Sequence, residues 1–191
     1  MKIRTFLAFE LPLEIKNTVA RVSGELRQST LNATWVKVDN IHLTVIFMGN
    51  IETGDIPAIA QGVQEVCQTF GPFDLSLNGI GCFPNRRNPR VLWLGLDGDM
   101  EPMSDFRDAL QEHLTGFAIK QEMRKFKPHL TLARFRKTKK MDSKEEQLLS
   151  RYEDLSSSVC SLKELILFKS DLKPTGAVYT KVEAWPLTGN K

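Results

Sequence analysis

Apolar runs and alternating apolar and polar residues mark predicted strands, and amphipathic stretches with helical spacing lie between them. Apolar residues that recur every three or four positions predict an α-helix, whereas alternation or a short apolar run predicts a β-strand. Strands are predicted over 3–9, 35–38, 42–49, 73–83, 90–96, 129–135, 162–170 and 177–185. Helices are predicted over 12–27, 55–70, 102–114 and 143–155. No stretch has the composition of a linker or a disordered segment.

Local signals set several of these boundaries. Pro12 is typical of a first helical position and predicts the start of the first helix. Gly49 predicts the end of the 42–49 strand, and a capping box is predicted to begin at Ser143. The segments 84–89 and 173–176 are rich in turn-forming residues, so each is predicted to join two antiparallel strands.

The tripeptide His-Leu-Thr occurs twice, and both copies stand at the start of a predicted strand. The copies are 42–44 and 129–131, and they contain two of the three histidines of the chain. Each copy has a predicted helix before it, a helix after it and a pair of antiparallel strands after that. This approximate duplication predicts one domain over 1–191, made of two pseudo-symmetric lobes with one motif in each. Both histidines would then face the groove between the lobes.

The two motifs place an imidazole and a hydroxyl side by side. Residues i and i+2 of a strand point to the same face, so His42 lies beside Thr44 and His129 beside Thr131. The leucine between them points into a core. Strict alternation places Arg134 on the opposite face from His129, so a bend or bulge is required for Arg134 to join the same site.

Composition is ordinary for a globular protein, but the charges are unevenly distributed. Hydrophobic residues make up 41% and charged residues 26% of the chain, and the formal net charge is +3. A basic run over 120–140 contains nine lysines and arginines against the single acid Glu122. A second basic cluster occupies the turn at 86–90. Because the larger run brackets His129, it favours a phosphate-rich ligand over a merely solvated face.

The beginning of the chain and its cysteines indicate a cytoplasmic protein. Residues 1–10 lack the apolar core of a signal peptide, and no apolar run is long enough to span a membrane. Cys67, Cys82 and Cys160 are odd in number and widely spaced, which is typical of reduced thiols. We therefore expect a cytoplasmic location with no membrane association.

The motif content argues against several classes of enzyme and favours acid–base chemistry on a phosphodiester. The sequence contains no Walker loop, HExxH, GxSxG or GxGxxG motif, and no spacing that predicts a metal site, so we expect neither cofactor nor metal. An imidazole has an ordinary pKa near 6.5, so one histidine can be neutral while another is protonated. Two such groups flanking one phosphate could take a proton from water and give one to the leaving oxygen. The third histidine, His113, lies in a charged helix and is predicted to be a surface residue.

Several linked motifs in one order resemble the two-histidine (2H) phosphoesterase superfamily, and in particular its RNA 2′,3′-cyclic phosphodiesterase branch of 2′-5′ RNA ligase-like proteins. The resemblance runs nearly end to end and includes the segments 4–12, 35–36, 42–49, 83–85, 89–93 and 128–134 and the region around Val178-Tyr179. It implies an α+β, bilobal, duplicated fold with two mainly antiparallel sheets, flanked by helices, around a central groove.

The resemblance also implies roles for individual residues. His42 would be the proton donor, His129 the proton acceptor, and Thr44, Thr131 and Arg134 would bind the substrate phosphate. The implied reaction is metal-independent hydrolysis of RNA 2′,3′-cyclic phosphate ends to 2′-phosphate ends. The implied partners are RNA or nucleotides with that end, including tRNA-derived ones, and we expect a monomer.

Two other functions remain open at this stage. One is ligation of tRNA halves through a 2′-5′ bond, which we rank as a side activity because mass action in water favours hydrolysis. The other is an RNA-binding module that recognises cyclic-phosphate ends without turnover. The basic run supports binding, whereas two intact histidine and threonine pairs favour catalysis, since lysine or arginine alone would serve affinity.

Overall fold

A computed structural model describes residues 1–136, 140–174 and 176–191 of the chain. Lys137 and Lys139 of the basic run, and Thr175 of the last predicted turn, lie outside the described residues. The elements in chain order are β1 (Lys2–Glu10), α1 (Leu13–Arg27), β2 (Ala33–Trp35), β3 (His42–Glu52), α2 (Ile56–Cys67), β4 (Phe73–Phe83), β5 (Val91–Gly98), α3 (Met100–His113), β6 (His129–Phe135), α4 (Ser143–Ser150), β7 (Cys160–Leu162), β8 (Glu164–Lys173) and β9 (Gly176–Pro186). None of the helices in these ranges is long and apolar enough to cross a membrane.

All nine strands belong to one sheet, in which every pairing between the described strands is antiparallel. The strand order is β7-β4-β5-β6-β3-β1-β8-β9, and β2 pairs with β6. The prediction of an α+β fold with mainly antiparallel strands is confirmed. The expected separation into two sheets is wrong, because Leu43 of β3 pairs with Leu130 of β6 and joins the halves into a single sheet.

The sheet order is symmetric about the β6–β3 junction. Moving outward, one half contains β5, β4 and β7, and the other contains β1, β8 and β9. The two halves of the sheet are therefore not consecutive halves of the chain, because β8 and β9 complete the half that begins with β1. The proposed pair of pseudo-symmetric lobes stays a prediction.

The sheet buries its main core on the side that carries the helices. Leu7 and Phe9 of β1 are fully buried in that core, together with side chains of α1, α2 and α3. Phe6 and Ala8 alternate with them and point to the other face, where they form a second, small cluster with residues of β8. This second face of the sheet is the one that carries the polar ends of the two motifs.

Several predicted boundaries differ from the structure, among them the strand predicted over 35–38, which is observed at Ala33–Trp35, and two of the differences have identifiable reasons. Gly49 does not end its strand: it adopts φ +73° opposite Thr5, and β3 continues its pairing with β1 to Glu52. The capping box at α4 begins one residue before Ser143, because the Asp142 carboxylate accepts hydrogen bonds from the backbone of Lys144 and Glu145. That helix also ends at Ser150, earlier than predicted.

Candidate active site

The two His-Leu-Thr copies meet in one groove on the face of the sheet opposite the main core. The groove has a volume of about 180 Å³. Its lining comes from both halves of the sheet and from the segment before β3. The lining residues are Arg4, Phe6, Val36, Asn40, Ile41, His42, Thr44, Phe47, His129, Thr131, Arg134, Ser170 and Tyr179. All five predicted site residues are therefore brought together.

The pairing of Leu43 with Leu130 accounts for this meeting. Both leucines are fully buried on the core side of the sheet. In an antiparallel register, the residues flanking such a pair lie across from one another in reverse order. His42 of β3 is thus placed across from Thr131, and His129 of β6 across from Thr44. Each imidazole has a hydroxyl beside it on its own strand and another on the neighbouring strand.

A bulge in each of the strands β3 and β6 brings the residue five positions after the motif histidine into the groove. Leu132 of β6 is the extra residue between the partners of Leu92 and Trp93, so Arg134 returns to the face of His129. The sequence predicted that Arg134 could join the site only through such a bend or bulge. Val45 of β3 occupies the corresponding place, since Leu7 pairs with Ile46 and Ala8 with Thr44.

The bulge in β3 has a consequence that the sequence did not reveal. Phe47 is five residues after His42, as Arg134 is five residues after His129, and it lines the same groove. Its side chain is 51% exposed, which is unusual for a phenylalanine in a strand. The repeated motif thus places an arginine at one side of the groove and an exposed aromatic ring at the other.

Both histidines are held in one tautomer by the backbone. His42 Nδ1 lies 2.8 Å from the carbonyl oxygen of Asn40, and His129 Nδ1 lies 2.7 Å from that of Lys127. A carbonyl oxygen only accepts, so each Nδ1 carries the proton and donates it. Nε2 is then the nitrogen that remains for a substrate in both rings. Asn40 is itself fixed, because its side-chain amide donates to the carbonyl of Ala177 in β9.

Aromatic rings hold each imidazole in place. The Phe6 ring stacks on His42 with centroids 4.6 Å apart, and Tyr179 meets it edge-on at 5.3 Å. Phe83 meets His129 edge-on at 4.9 Å, and Trp93 lies 6.4 Å from the same ring. All four aromatics fall in segments that carry the family resemblance, but strand spacing alone gave them no role.

Burial disfavours the charged form of both imidazoles. The pKa of His42 is lowered from its ordinary value mainly by burial, against the opposing effect of its backbone hydrogen bond. The pKa of His129 is also lowered mainly by burial, and the charge of Arg134 lowers it further. The causes of the two pKa shifts therefore differ in one respect, which is the cation beside His129.

The basic run does not converge on the groove as a whole. Of its described members, only Arg134 lines the groove. Arg124 bonds instead to Glu122 at 2.5 Å, and the Arg136 guanidinium donates to the Thr34 hydroxyl at 3.2 Å. In the other basic cluster, Arg86 pairs with Glu153 at 2.6 Å. The structure therefore places Arg134, and not the whole run, at the groove, and its role in binding phosphate stays a prediction.

A larger hollow of about 670 Å³ lies between α3 and the segment 115–126, and it contains neither motif. Its charges are mixed, and several neutralise one another, as in the pair of Arg107 with Asp108 at 2.9 Å. Across the described ranges, no three histidine, cysteine or acidic side chains converge as a metal site would require. His113 lies on the surface of α3, as predicted, with its side chain 41% exposed.

Comparison with known proteins decides the family. The model of the 2′-5′ RNA ligase superfamily matches residues 12–173. The chain belongs to this superfamily. It is 30% identical over 187 residues to the RNA 2′,3′-cyclic phosphodiesterase of Methanothermobacter thermautotrophicus, which covers 98% of this chain and 100% of that protein. It is also 30% identical to the RNA 2′,3′-cyclic phosphodiesterase of Thermotoga maritima, over 93% of this chain and 91% of that protein.

Solved structures share the fold of this chain. The crystal structure of TT0787 of Thermus thermophilus matches with a TM-score of 0.81 and 26% identity, over 99% of this chain and all of that one. E. coli LigT, crystallised with 3′-AMP, matches with a TM-score of 0.79 and 22% identity, over 98% and 99% of the two chains. The resemblance that the motifs indicated is therefore confirmed.

Proposed function

We propose that this protein hydrolyses 2′,3′-cyclic phosphate ends of RNA to 2′-phosphate ends, using its two motif histidines as acid and base and no metal ion. The observation that carries the proposal is the pair of imidazoles in one groove, each with Nε2 free for substrate. Superfamily relatives named RNA 2′,3′-cyclic phosphodiesterase support the substrate class.

The proposed reaction is an in-line displacement at phosphorus. Nε2 of His129 accepts a proton from water as the water oxygen bonds to phosphorus. The bond from phosphorus to the 3′ oxygen breaks, and the protonated Nε2 of His42 gives its proton to that oxygen. The hydroxyls of Thr44 and Thr131 and the guanidinium of Arg134 bind the non-bridging oxygens, where negative charge develops. The products are a 2′-phosphate and a free 3′ hydroxyl.

The difference between the two histidines supports the assignment of acid and base. The cation at Arg134 disfavours a second positive charge on His129, which suits a base that must start neutral. No charged side chain is among the causes of the lowered pKa of His42, which is due mainly to burial. The negative charge of a bound phosphate raises the pKa of a nearby imidazole, so substrate binding itself favours the protonated acid.

Phosphorus NMR of adenosine 2′,3′-cyclic phosphate in EDTA tests the proposal directly. The expected result is complete conversion to the 2′-phosphate, with the 3′-phosphate absent. His42→Ala and His129→Ala are each expected to lower kcat by about 100- to 10,000-fold, the usual contribution of a general acid or base. His113→Ala is the matched control, because it removes the third histidine from an exposed helix site, and it should keep full activity.

Three outcomes would count against this proposal. A requirement for added metal would contradict the proposed metal independence. Near-native activity of His42→Ala or His129→Ala would contradict the proposed acid–base roles. Tight, salt-sensitive binding with no product after long incubation would instead favour a binding module for cyclic-phosphate ends.

Ligation is the second candidate because the matching family model is that of 2′-5′ RNA ligases. The 5′ hydroxyl of a second RNA would take the place of water in the same groove, giving a 2′-5′ bond. Hydrolysis is favoured by the concentration of water, so ligation is proposed as a side activity. Incubation with tRNA halves, followed by a search for a 2′-5′ junction, tests for it.

A further inference from the structure

Arg4 is a cation of the groove that has no part in the reaction proposed above. Its guanidinium carbon lies 4.7 Å from the centroid of the Phe47 ring, in a cation–π contact, and the Arg4 side chain is exposed. Its cross-strand neighbour is the neutral Asn50. The nearest acid along that ladder, Glu52, is taken by the amino terminus and by Lys2. No aspartate or glutamate is among the described residues that line the groove.

Arg4 also lies farther out than the reacting groups. Arg4 and Phe6 are alternate residues of β1 on one face, which places them about 7 Å apart at the usual rise of a strand. Phe6 is the residue that stacks on His42. Burial raises the pKa of Tyr179, and the charges of Arg134 and Arg4 both oppose that rise. Of these two arginines, only Arg134 also affects the pKa of His129. Arg4 is thus a second cationic position beyond the one that faces the reacting phosphate.

We propose that Arg4 binds the phosphate on the 5′ side of the terminal nucleoside. This inference rests on the proposed function, which puts the cyclic phosphate between His42 and His129. The next anion of an RNA strand is one nucleotide away, and a guanidinium is well suited to bind a phosphate. The protein would then favour 5′-phosphorylated or longer RNA ends over cyclic mononucleosides that lack this group.

The test compares adenosine 2′,3′-cyclic phosphate with the same nucleotide carrying a 5′-phosphate. At low salt we expect wild-type kcat/KM to be at least about tenfold higher for the 5′-phosphorylated substrate, as for one charged hydrogen-bonded contact. Arg4→Gln should bring this ratio close to one through KM, and leave the unphosphorylated substrate within about twofold of wild type. Arg4→Lys should keep part of the preference, because it retains the charge but not the planar group.

Arg27→Gln is the matched control, since it removes one positive charge from the exposed end of α1, and it should keep the wild-type ratio. The Arg4 proposal is wrong if the wild type shows no preference, if the preference survives in Arg4→Gln, or if that variant slows both substrates equally. Calorimetry gives the ratio of the dissociation constants of adenosine 2′-phosphate and adenosine 2′,5′-bisphosphate. This ratio measures the preference for a 5′-phosphate without turnover. A wild type that turns over neither substrate would therefore overturn only the proposed function.

Discussion

At the scale of single residues, the two imidazoles determine how activity should depend on pH. Burial lowers the pKa of His42 and, with Arg134, that of His129. The proposed mechanism requires a free protein with one ring protonated and the other neutral, and this state is most populated between the two lowered pKa values. We expect kcat/KM to be bell-shaped with its maximum below about pH 6.5, the ordinary pKa of histidine.

Bound substrate should shift this profile in a known direction. The phosphate anion raises the pKa of both rings, so the maximum of kcat should lie at higher pH than that of kcat/KM. Initial rates measured from about pH 4.5 to about pH 9 in constant ionic strength give both profiles. A maximum of kcat/KM above about pH 7 would contradict the burial of the two rings.

A second prediction for a single residue concerns Arg134, and it is tested by the pKa of His129, which can be measured without turnover. Its charge lowers the pKa of His129, so Arg134→Gln should raise the pKa of that imidazole while leaving His42 unchanged. Activity should fall by about 10- to 100-fold, because the proposed charged contact of Arg134 with the phosphate is lost. NMR titration of the imidazole resonances measures the shift.

Arg136→Gln is the control for this measurement, since Arg136 lies two residues farther along and bonds to Thr34. It should leave the pKa of His129 where it is. A fall in activity with no change in that pKa would show that Arg134 lies near the phosphate but not near His129.

At the scale of elements, the hairpin of β4 and β5 supports His129 through a glycine. Gly81 pairs with Trp93, and a Cβ at Gly81 would lie 2.3 Å from the indole ring. The indole can therefore lie flat on β4 only because position 81 has no side chain. Trp93 in turn contacts Phe83 in a tilted arrangement, with ring centroids 5.0 Å apart, and Phe83 meets His129 edge-on.

Gly81→Ala should consequently move Trp93 and loosen the position of His129. We expect a loss of about 1–3 kcal/mol in the free energy of unfolding, as for other overpacked sites, together with a lower kcat. Gly24→Ala is the opposite case, because nothing lies within 4 Å of its added Cβ in α1. It should stabilise the protein by about 0.5–1 kcal/mol and leave kcat unchanged.

Urea denaturation and steady-state rates on both glycine variants separate the two effects. Equal stability changes in the two variants would mean that the indole has room to move. Loss of stability without loss of kcat would mean that Trp93 and Phe83 do not position His129.

At the scale of the whole molecule, the sequence predicted which motif residues line the groove better than it predicted the shape of the groove. The repeat, its strands and the four side chains of the two motifs could be found from spacing, because alternation along a strand is a local property. The position of Phe47 could not be found in this way, because strict alternation places it on the opposite face from His42. Val45 has no partner in β1, and this bulge turns Phe47 to the face of His42. Such a bulge is decided by the neighbouring strand, which spacing within β3 does not show.

The aromatic residues around the histidines could not be predicted from the sequence for a related reason. The rings around His42 come from β1, β8 and β9, which are far apart in the chain. The joining of the sheet at Leu43 and Leu130 was likewise invisible, because strand pairing between distant segments has no local signal. The capping box was misplaced by only one residue, since both Asp142 and Ser143 have side chains that can cap a helix.

The position of β8 and β9 beside β1 affects how the site comes into being as the chain is made. A ribosome releases His42 and His129 before Phe168 and Tyr179, which complete the aromatic surroundings of His42. Until then β1 has an open edge where β8 will pair, and contacts between such distant segments form slowly. The nascent chain therefore carries both histidines without a finished groove, and catalytic competence is expected to arrive in one late step, with the last strands of the sheet.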